Sequence, residues 1–184
     1  MTAQETPVCD FGWPAPDFRL PDPAGKNWTL EDCRGSRATL VMFLSNHCPF
    51  VKASLRRIIE DLQTLAPEGV AAVGIMSNDI TRYPEDGPVE MQRLASEMAF
   101  PFPYLIDESQ QTASDYGAVC TPDFFGFNQD LELQYRGRLD AGRTEEPPMG
   151  TPRELLDAML QIARTGHGPD EQTPSIGCSI KWKT

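Results

Sequence analysis

The sequence predicts an α/β domain built on a central mixed sheet flanked by helices, and three observations carry that expectation. Residues 39–45 (TLVMFLS) and 70–77 (VAAVGIMS) are nearly continuous apolar runs of strand length, the pattern of strands covered on both faces. Between them, PFVKASLRRIIEDLQTLA sets Val51, Leu55, Ile58, Ile59, Leu62 and Leu65 at helical spacing. Further along, residues 124–127 and 131–136 read as an antiparallel pair around Asn128-Gln129-Asp130.

Residues 1–20 are rich in proline and expected to be an irregular lead-in that covers part of the fold. Phe18-Arg19-Leu20 and Trp28-Thr29-Leu30 flank PDPAGKN, whose Pro, Asp and Gly supply turn dihedrals, so a short N-terminal hairpin is expected. The 39–45 strand, a helix opened by Pro49 and the 70–77 strand make one βαβ unit. Such units take the right-handed crossover almost without exception. A second helix is expected over 88–99, from the stripe Met91, Leu94, Ala95 and Met98, and a short third over 109–116 with Ser109 as its cap. Thr151-Pro152-Arg153-Glu154 is a capping-box pattern that opens a last helix through Leu155, Met159 and Ile162, stopped at Gly166. Residues 167–184 are expected to form an irregular C-terminal tail, closing on SIGCSIKW. The whole chain, 1–184, reads as a single domain with no internal linker.

At 184 residues and 40% hydrophobic content the chain is long enough to bury a real core. Its net charge of -11 argues against nucleic acid, which is held by clustered Lys and Arg, and against an anionic membrane surface. No basic start followed by an apolar stretch marks a secretory signal, so the expected compartment is the cytoplasm, where thiols are held reduced. Five cysteines (Cys9, Cys33, Cys48, Cys120 and Cys178) are scattered without a CxxC pair or metal-finger spacing.

Cys48 stands where the first apolar strand turns into the amphipathic helix. A cysteine there faces unpaired backbone N–H groups and the positive end of the helix dipole, a setting that suits a nucleophilic sulfur. Lys52, Arg56 and Arg57 make the local field basic within an acidic protein, and the neighbouring His47 is of the type that shuttles protons. The alternative is a small, inert, buried Cys48 and a His47 that points away.

The segments WPAPDFRLPDPAGKNWTLEDCRG, SNHCP and VCTPDFFGF resemble thioredoxin-fold proteins of the redoxin and alkyl hydroperoxide reductase group. Within that group the chain is similar to a peroxiredoxin-like set with three separated motifs. These are an NHCP-type site (Asn46 to Pro49), an SND…YPED segment (Ser77-Asn78-Asp79 with Tyr83 to Asp86) and a C-terminal SIGC-IKW motif (Ser175 to Trp182). The resemblance implies a thioredoxin-like fold and assigns roles by position. Cys48 matches both the thioredoxin nucleophile and the peroxidatic cysteine. Val51 stands in the place of the second thioredoxin cysteine, which removes a local dithiol. Ser45 matches the Thr or Ser three residues before a peroxiredoxin's cysteine, whereas Val41 stands where that family has proline. Thr121-Pro122 matches the cis-proline turn facing the nucleophile. Arg136, Arg138 and Arg143 are candidates for the arginine that supports a peroxiredoxin's thiolate. Ser45, Asn46, His47, Pro49, Thr121 and Pro122 are therefore substrate-side or supporting positions.

If Pro122 faces Cys48, Cys120 borders the site and leads as the resolving thiol. Cys178 competes. The tail between the last helix and Cys178 reaches about 43 Å at ~3.3 Å per residue, against a radius of gyration of about 16 Å. Packing against the core, together with Ile176, Ile180 and Trp182, is the other reading of Cys178, and packing at a strand start is that of Cys120. Cys9 and Cys33 read as structural. Asn78, Asp79, Tyr83 and Asp86 form a polar loop after a sheet strand, where α/β folds bind ligands, although a solvated loop with Asp86 capping the next helix also accounts for them.

The expected function is thus a peroxiredoxin-like, thiol-dependent oxidoreductase. Cys48 attacks a small peroxide or a protein disulfide, and Cys120 or Cys178 resolves the product. Thioredoxin or glutathione is the expected reductant, and neither cofactor nor metal is implied. The alternative, supported by Val51, is a redox-silent thioredoxin-fold module that binds a partner. Copper or zinc capture by His47, Cys48 and His167 or Cys178 has soft ligands in its favour but no recognisable spacing.

Overall fold

The computed structural model describes residues 2–184. In chain order its elements are β1 (Ala3–Glu5), β2 (Arg19–Pro21), β3 (Asn27–Thr29), β4 (Ala38–Phe43), α1 (Pro49–Leu65), β5 (Val70–Met76), α2 (Pro88–Glu97), β6 (Tyr104–Ile106), α3 (Gln111–Asp115), β7 (Cys120–Thr121), β8 (Asp123–Asn128), β9 (Leu133–Tyr135), α4 (Glu154–Thr165) and β10 (Ile176–Ser179). The main sheet has the order β6-β5-β4-β8-β9. β5 runs parallel to β4 and to β6, whereas β8 runs antiparallel to β4 and to β9, so the sheet is mixed.

Every residue of β4 is buried, as its apolar run requires. Its side chains alternate: Leu40 and Met42 join a core with α1 and α4, while Val41 and Phe43 join a second core on the other face with the β2–β3 hairpin and α3. α1 turns Leu55, Ile58 and Leu62 onto the sheet and leaves Arg56 and Glu60 in solvent. Among the described residues no helix is long and apolar enough to cross a membrane.

Four expectations need correction. A strand at residues 104–106 was not expected: three residues are too few to show a period, and pairing with β5 is what makes them a strand. The short third helix is capped only in part by Ser109, whose hydroxyl oxygen accepts the Gln111 N–H at 3.2 Å. The next N–H groups, of Thr112 and Ala113, donate to the buried Asp107, and Gln110 takes a left-handed turn (φ 64°). The capping box at residues 151–154 does not form, because the Thr151 hydroxyl donates to the Pro148 carbonyl and Glu154 pairs with Arg138. The tail is not irregular throughout. Residues 176–179 form the middle strand of a small antiparallel sheet, β1-β10-β7, which also draws in the start of the lead-in. Ile180 packs in the core as expected, but Trp182 stays exposed.

Candidate active site

β4 ends at Phe43 and α1 begins at Pro49, so residues 44–48 must turn the chain from sheet to helix. Cys48 is the N-cap, extended (φ -67°, ψ 121°), with Pro49 in the first turn where its missing N–H leaves no bond unmade. Cys48 is fully buried. Its Sγ lies 3.0 Å from the Thr121 carbonyl oxygen and 2.9 Å from Sγ of Cys178. The Thr121–Pro122 peptide is cis.

Cys178 reaches this point because β10 lies beside β7, with Cys178 opposite Thr121 and Ser179 opposite Cys120. Strand side chains alternate between faces, so this register sends Cys120 to the other side from Cys178. Cys120 Sγ instead lies 3.6 Å from the Pro122 carbonyl oxygen. Of the two candidate partner thiols, the one ranked second from sequence is the one the fold brings to Cys48. Burial pushes the Cys178 thiol up to about 12, and its bond with Cys48 adds to the rise, against opposing contributions from Lys181 and the Phe50 N–H. Burial also drives the Cys120 thiol well up, helped by the carboxylate of Asp123. Cys33 is buried and Cys9 half-buried, and burial raises their thiols to about 12 and about 11.

The loop before Cys48 is organised by one carboxylate. Asp86, fully buried, accepts the Asn46 N–H at 2.6 Å and the His47 N–H at 3.3 Å on Oδ1. On Oδ2 it meets His47 Nδ1 at 2.8 Å and Asn78 Nδ2 at 2.7 Å, and the Ser45 hydroxyl lies 3.1 Å from both oxygens. Burial alone would raise this carboxyl, but the bonds from His47, Asn78 and the Asn46 N–H hold it below the ordinary carboxylate value. Tyr83 stacks on the His47 ring at 5.0 Å between centroids, and the Tyr104 hydroxyl donates to Asn46 Oδ1 at 3.0 Å. Asp86 therefore does not cap α2, and the 78–86 loop is not simply solvated. Asp86 and Asn78 are site residues that sequence reasoning left undecided. Their signal was a run of amide and carboxylate groups directly after a buried sheet strand.

The Ser45 hydroxyl is engaged by Asp86 rather than by Cys48. None of the candidate arginines bonds Cys48. Arg136 pairs with the buried Asp123 at 3.1 Å and lies over the Phe125 ring, Arg138 pairs with Glu154 at 2.6 Å, and Arg143 is exposed. Arg56 and Arg57 are engaged by Glu60 and Asp140, while Lys52 lines a cavity of about 500 Å3 together with His47, Val51 and Leu94. A second cavity, of about 90 Å3, opens between Phe50, Pro122 and Ile176. Among the described residues no three His, Cys, Asp or Glu side chains are grouped to hold a metal ion.

A helix-start cysteine beside a cis-proline turn on a mixed sheet places the chain among thioredoxin-fold thiol proteins. The thioredoxin domain of a thiol-disulfide oxidoreductase from Bacteroides vulgatus superposes with a TM-score of 0.58 at 15% identity, over 72% of this chain and 89% of that one. The chain belongs to the AhpC/TSA family, whose model matches residues 11–136 and whose chemistry is thiol-dependent redox. It is 26% identical over 116 residues to Peroxiredoxin Bcp of Escherichia coli (strain K12), covering 63% of this chain and 69% of that protein. The crystal structure of an uncharacterized conserved protein from Geobacillus kaustophilus is 44% identical, with a TM-score of 0.87 over 100% of this chain and 97% of that one.

Proposed function

We propose that the protein is a thiol oxidoreductase whose working pair is Cys48 and Cys178, with a small hydroperoxide as oxidant. The observation that carries this reading is the 2.9 Å separation of the two sulfurs. Bringing them to a disulfide bond of about 2.05 Å takes a closure of about 0.9 Å. The Cys48 thiolate attacks the peroxide: an S–O bond forms, the O–O bond breaks, and the alkoxide leaves and takes a proton. Cys178 then attacks the sulfenic sulfur. The S–S bond forms, the S–O bond breaks, and hydroxide leaves as water with a proton from the site. Two thiols have been oxidised and one peroxide reduced to alcohol and water. A cytoplasmic thiol reductant, thioredoxin or glutathione, restores the pair by exchange.

Two features support a small oxidant: both sulfurs are buried, and the chain is akin to Peroxiredoxin Bcp. A second reading, exchange with a disulfide substrate, is favoured by a specific observation: the Ser45 hydroxyl is bound to Asp86 and no guanidinium bonds Cys48. The test is mass spectrometry of the reduced protein after stoichiometric hydrogen peroxide or, in parallel, oxidised glutathione. Peroxide should give an intramolecular Cys48–Cys178 disulfide, and Cys178→Ser should hold Cys48 as a dimedone-reactive sulfenic acid. Disulfide formation with glutathione alone moves the assignment to the exchange reading. If Cys48 stays unmodified in both arms, the redox-silent binding module is left.

A further inference from the structure

The loop that leads into Cys48 and the strand that carries Cys178 are joined by more than the two sulfurs. Asp86 holds the Ser45, Asn46 and His47 segment through four of its residues' donors, as described above, and Asn78 donates to the same carboxylate at 2.7 Å. The Asn78 amide has a second connection: its Oδ1 accepts the backbone N–H of Lys181 at 2.8 Å. The neighbouring Asp79 N–H donates to the Lys181 carbonyl at 2.8 Å, so Lys181 is fastened on both sides to residues 78–79. Lys181 lies three residues beyond Cys178 and two beyond the end of β10. A continuous hydrogen-bonded bridge therefore runs from the Cys48 loop through Asp86 and Asn78 to the segment that ends the Cys178 strand. Asn78 and Asp86 are both buried, so water does not replace these bonds freely.

We propose that Asn78 and Asp86 are positioning residues that set the effective concentration of the Cys178 thiol at Cys48. This rests on Cys48 and Cys178 being the redox pair. The chemistry follows from the geometry. Two thiols on separate elements form a disulfide readily only if both are held near contact beforehand, and such holding is what separates an intramolecular reaction from a slow encounter. β10 is also held by β1 on one side and the two-residue β7 on the other, by the Ile180 N–H to the Val119 carbonyl at 3.2 Å, and by Gln110, whose side-chain amide bonds the Lys181 carbonyl at 2.8 Å and the Lys183 N–H at 2.7 Å. Asn78 alone links that end directly to the carboxylate that shapes the nucleophile's loop. Neither residue bonds the sulfurs, and Asn78 bonds Asp86 and Lys181 rather than residues 45–48, so its effect falls on disulfide formation more than on the first attack.

The test compares two quantities in the wild-type protein and in Asn78→Ala: the equilibrium of the Cys48–Cys178 disulfide with the glutathione couple, and the rate at which iodoacetamide alkylates Cys48 in the reduced protein. The expected result is an equilibrium shifted toward the dithiol by about tenfold to a hundredfold. That corresponds to a reduction potential about 30 mV higher for each tenfold. Alkylation of Cys48 should change by no more than about twofold, once normalised to the wild-type fold by circular dichroism. After excess peroxide, the variant should also accumulate sulfinic acid at Cys48, because slower resolution leaves the sulfenic acid exposed to a second oxidation. An unchanged equilibrium in a folded variant overturns the proposal. So does a parallel change in alkylation and equilibrium, which is the mark of a collapsed site. Should Asn78→Ala not fold, Asn78→Ser, which keeps a donor and an acceptor at shorter reach, carries the same comparison. The glutathione equilibrium needs no peroxide. A wild-type protein that ignores peroxide but forms the disulfide removes the peroxidase reading and leaves this inference standing. A wild-type protein that never forms the disulfide removes the pair itself.

Discussion

Gly177→Ala is a one-carbon change that should separate the two sulfurs without touching either. Gly177 lies in β10 directly before Cys178, and a Cβ placed on it would sit 2.1 Å from the Thr121 carbonyl oxygen, 2.6 Å from its carbonyl carbon and 3.1 Å from Pro122 N. All three are backbone atoms, so no side chain can rotate away. Relief to an ordinary contact moves β10 from β7 by about 1.4 Å, since non-bonded heavy atoms rest near 3.5 Å. Thr121 is the residue opposite Cys178 and the acceptor nearest Cys48, so the displacement falls on the Cys48–Cys178 separation. Overpacking of this kind costs about 1–3 kcal/mol. In a chain of this length that lowers Tm by about 2–12 °C. A misplacement of ~1 Å at a reacting pair slows the reaction by up to about a hundredfold. The assay pairs thermal unfolding with the rate of disulfide formation after a peroxide or diamide pulse, followed by quenched-flow alkylation. An unchanged Tm would refute the backbone contact. A lowered Tm with an unchanged disulfide rate would refute the link between β10 placement and the thiol pair.

Cys120→Ser should leave the yield of the Cys48–Cys178 disulfide unchanged, because the register of β7 and β10 turns Cys120 to the opposite face; peptide mapping showing loss of that disulfide would contradict this. The buried Asp61, paired with Arg153, is pushed up to about 6 by burial, above the ~3.9 of an unfolded aspartate. Between about pH 4 and pH 6 the native state then binds more protons than the unfolded state at this site, so the group makes stability fall as pH rises through that window and leaves it level above. Asp61→Asn cannot titrate, and urea midpoints measured across the window should slope less steeply downward with pH than those of the wild type; identical slopes would refute the assignment.

The sheet's middle and its main helices were legible because they bury long apolar runs or stripes. β4, β5, α1 and α4 each present enough residues for a period to show, and each lies close to where its pattern placed it. β1, β6, β7 and β10 have between two and four residues each, and β1 is exposed throughout. Nothing local distinguishes such segments from loop, since their strand character comes from partners distant in the chain. The helix caps fell short for a related reason. Ser109 takes only the Gln111 N–H and leaves the next two to the buried Asp107, while the Thr151 hydroxyl is drawn to the Pro148 carbonyl.

At the candidate site, the sequence by itself determined that Cys48 opens a helix, because the change from strand to helical periodicity falls on that residue and Pro49 follows it. It also determined that no second cysteine lies one turn along, since Val51 is there. What the tertiary structure alone decided is which thiol Cys48 meets. The match of Thr121-Pro122 to a cis-proline turn pointed to Cys120, and chain reach allowed Cys178. The choice came from the β7–β10 register, which turns Cys178 toward Cys48 and Cys120 away by strand alternation. The role of Asp86 was decided in the same way. A carboxylate in a polar loop becomes an organising group only when folding buries it among donors from residues some forty positions earlier; the local pattern marks the loop as polar but does not say which donors reach it.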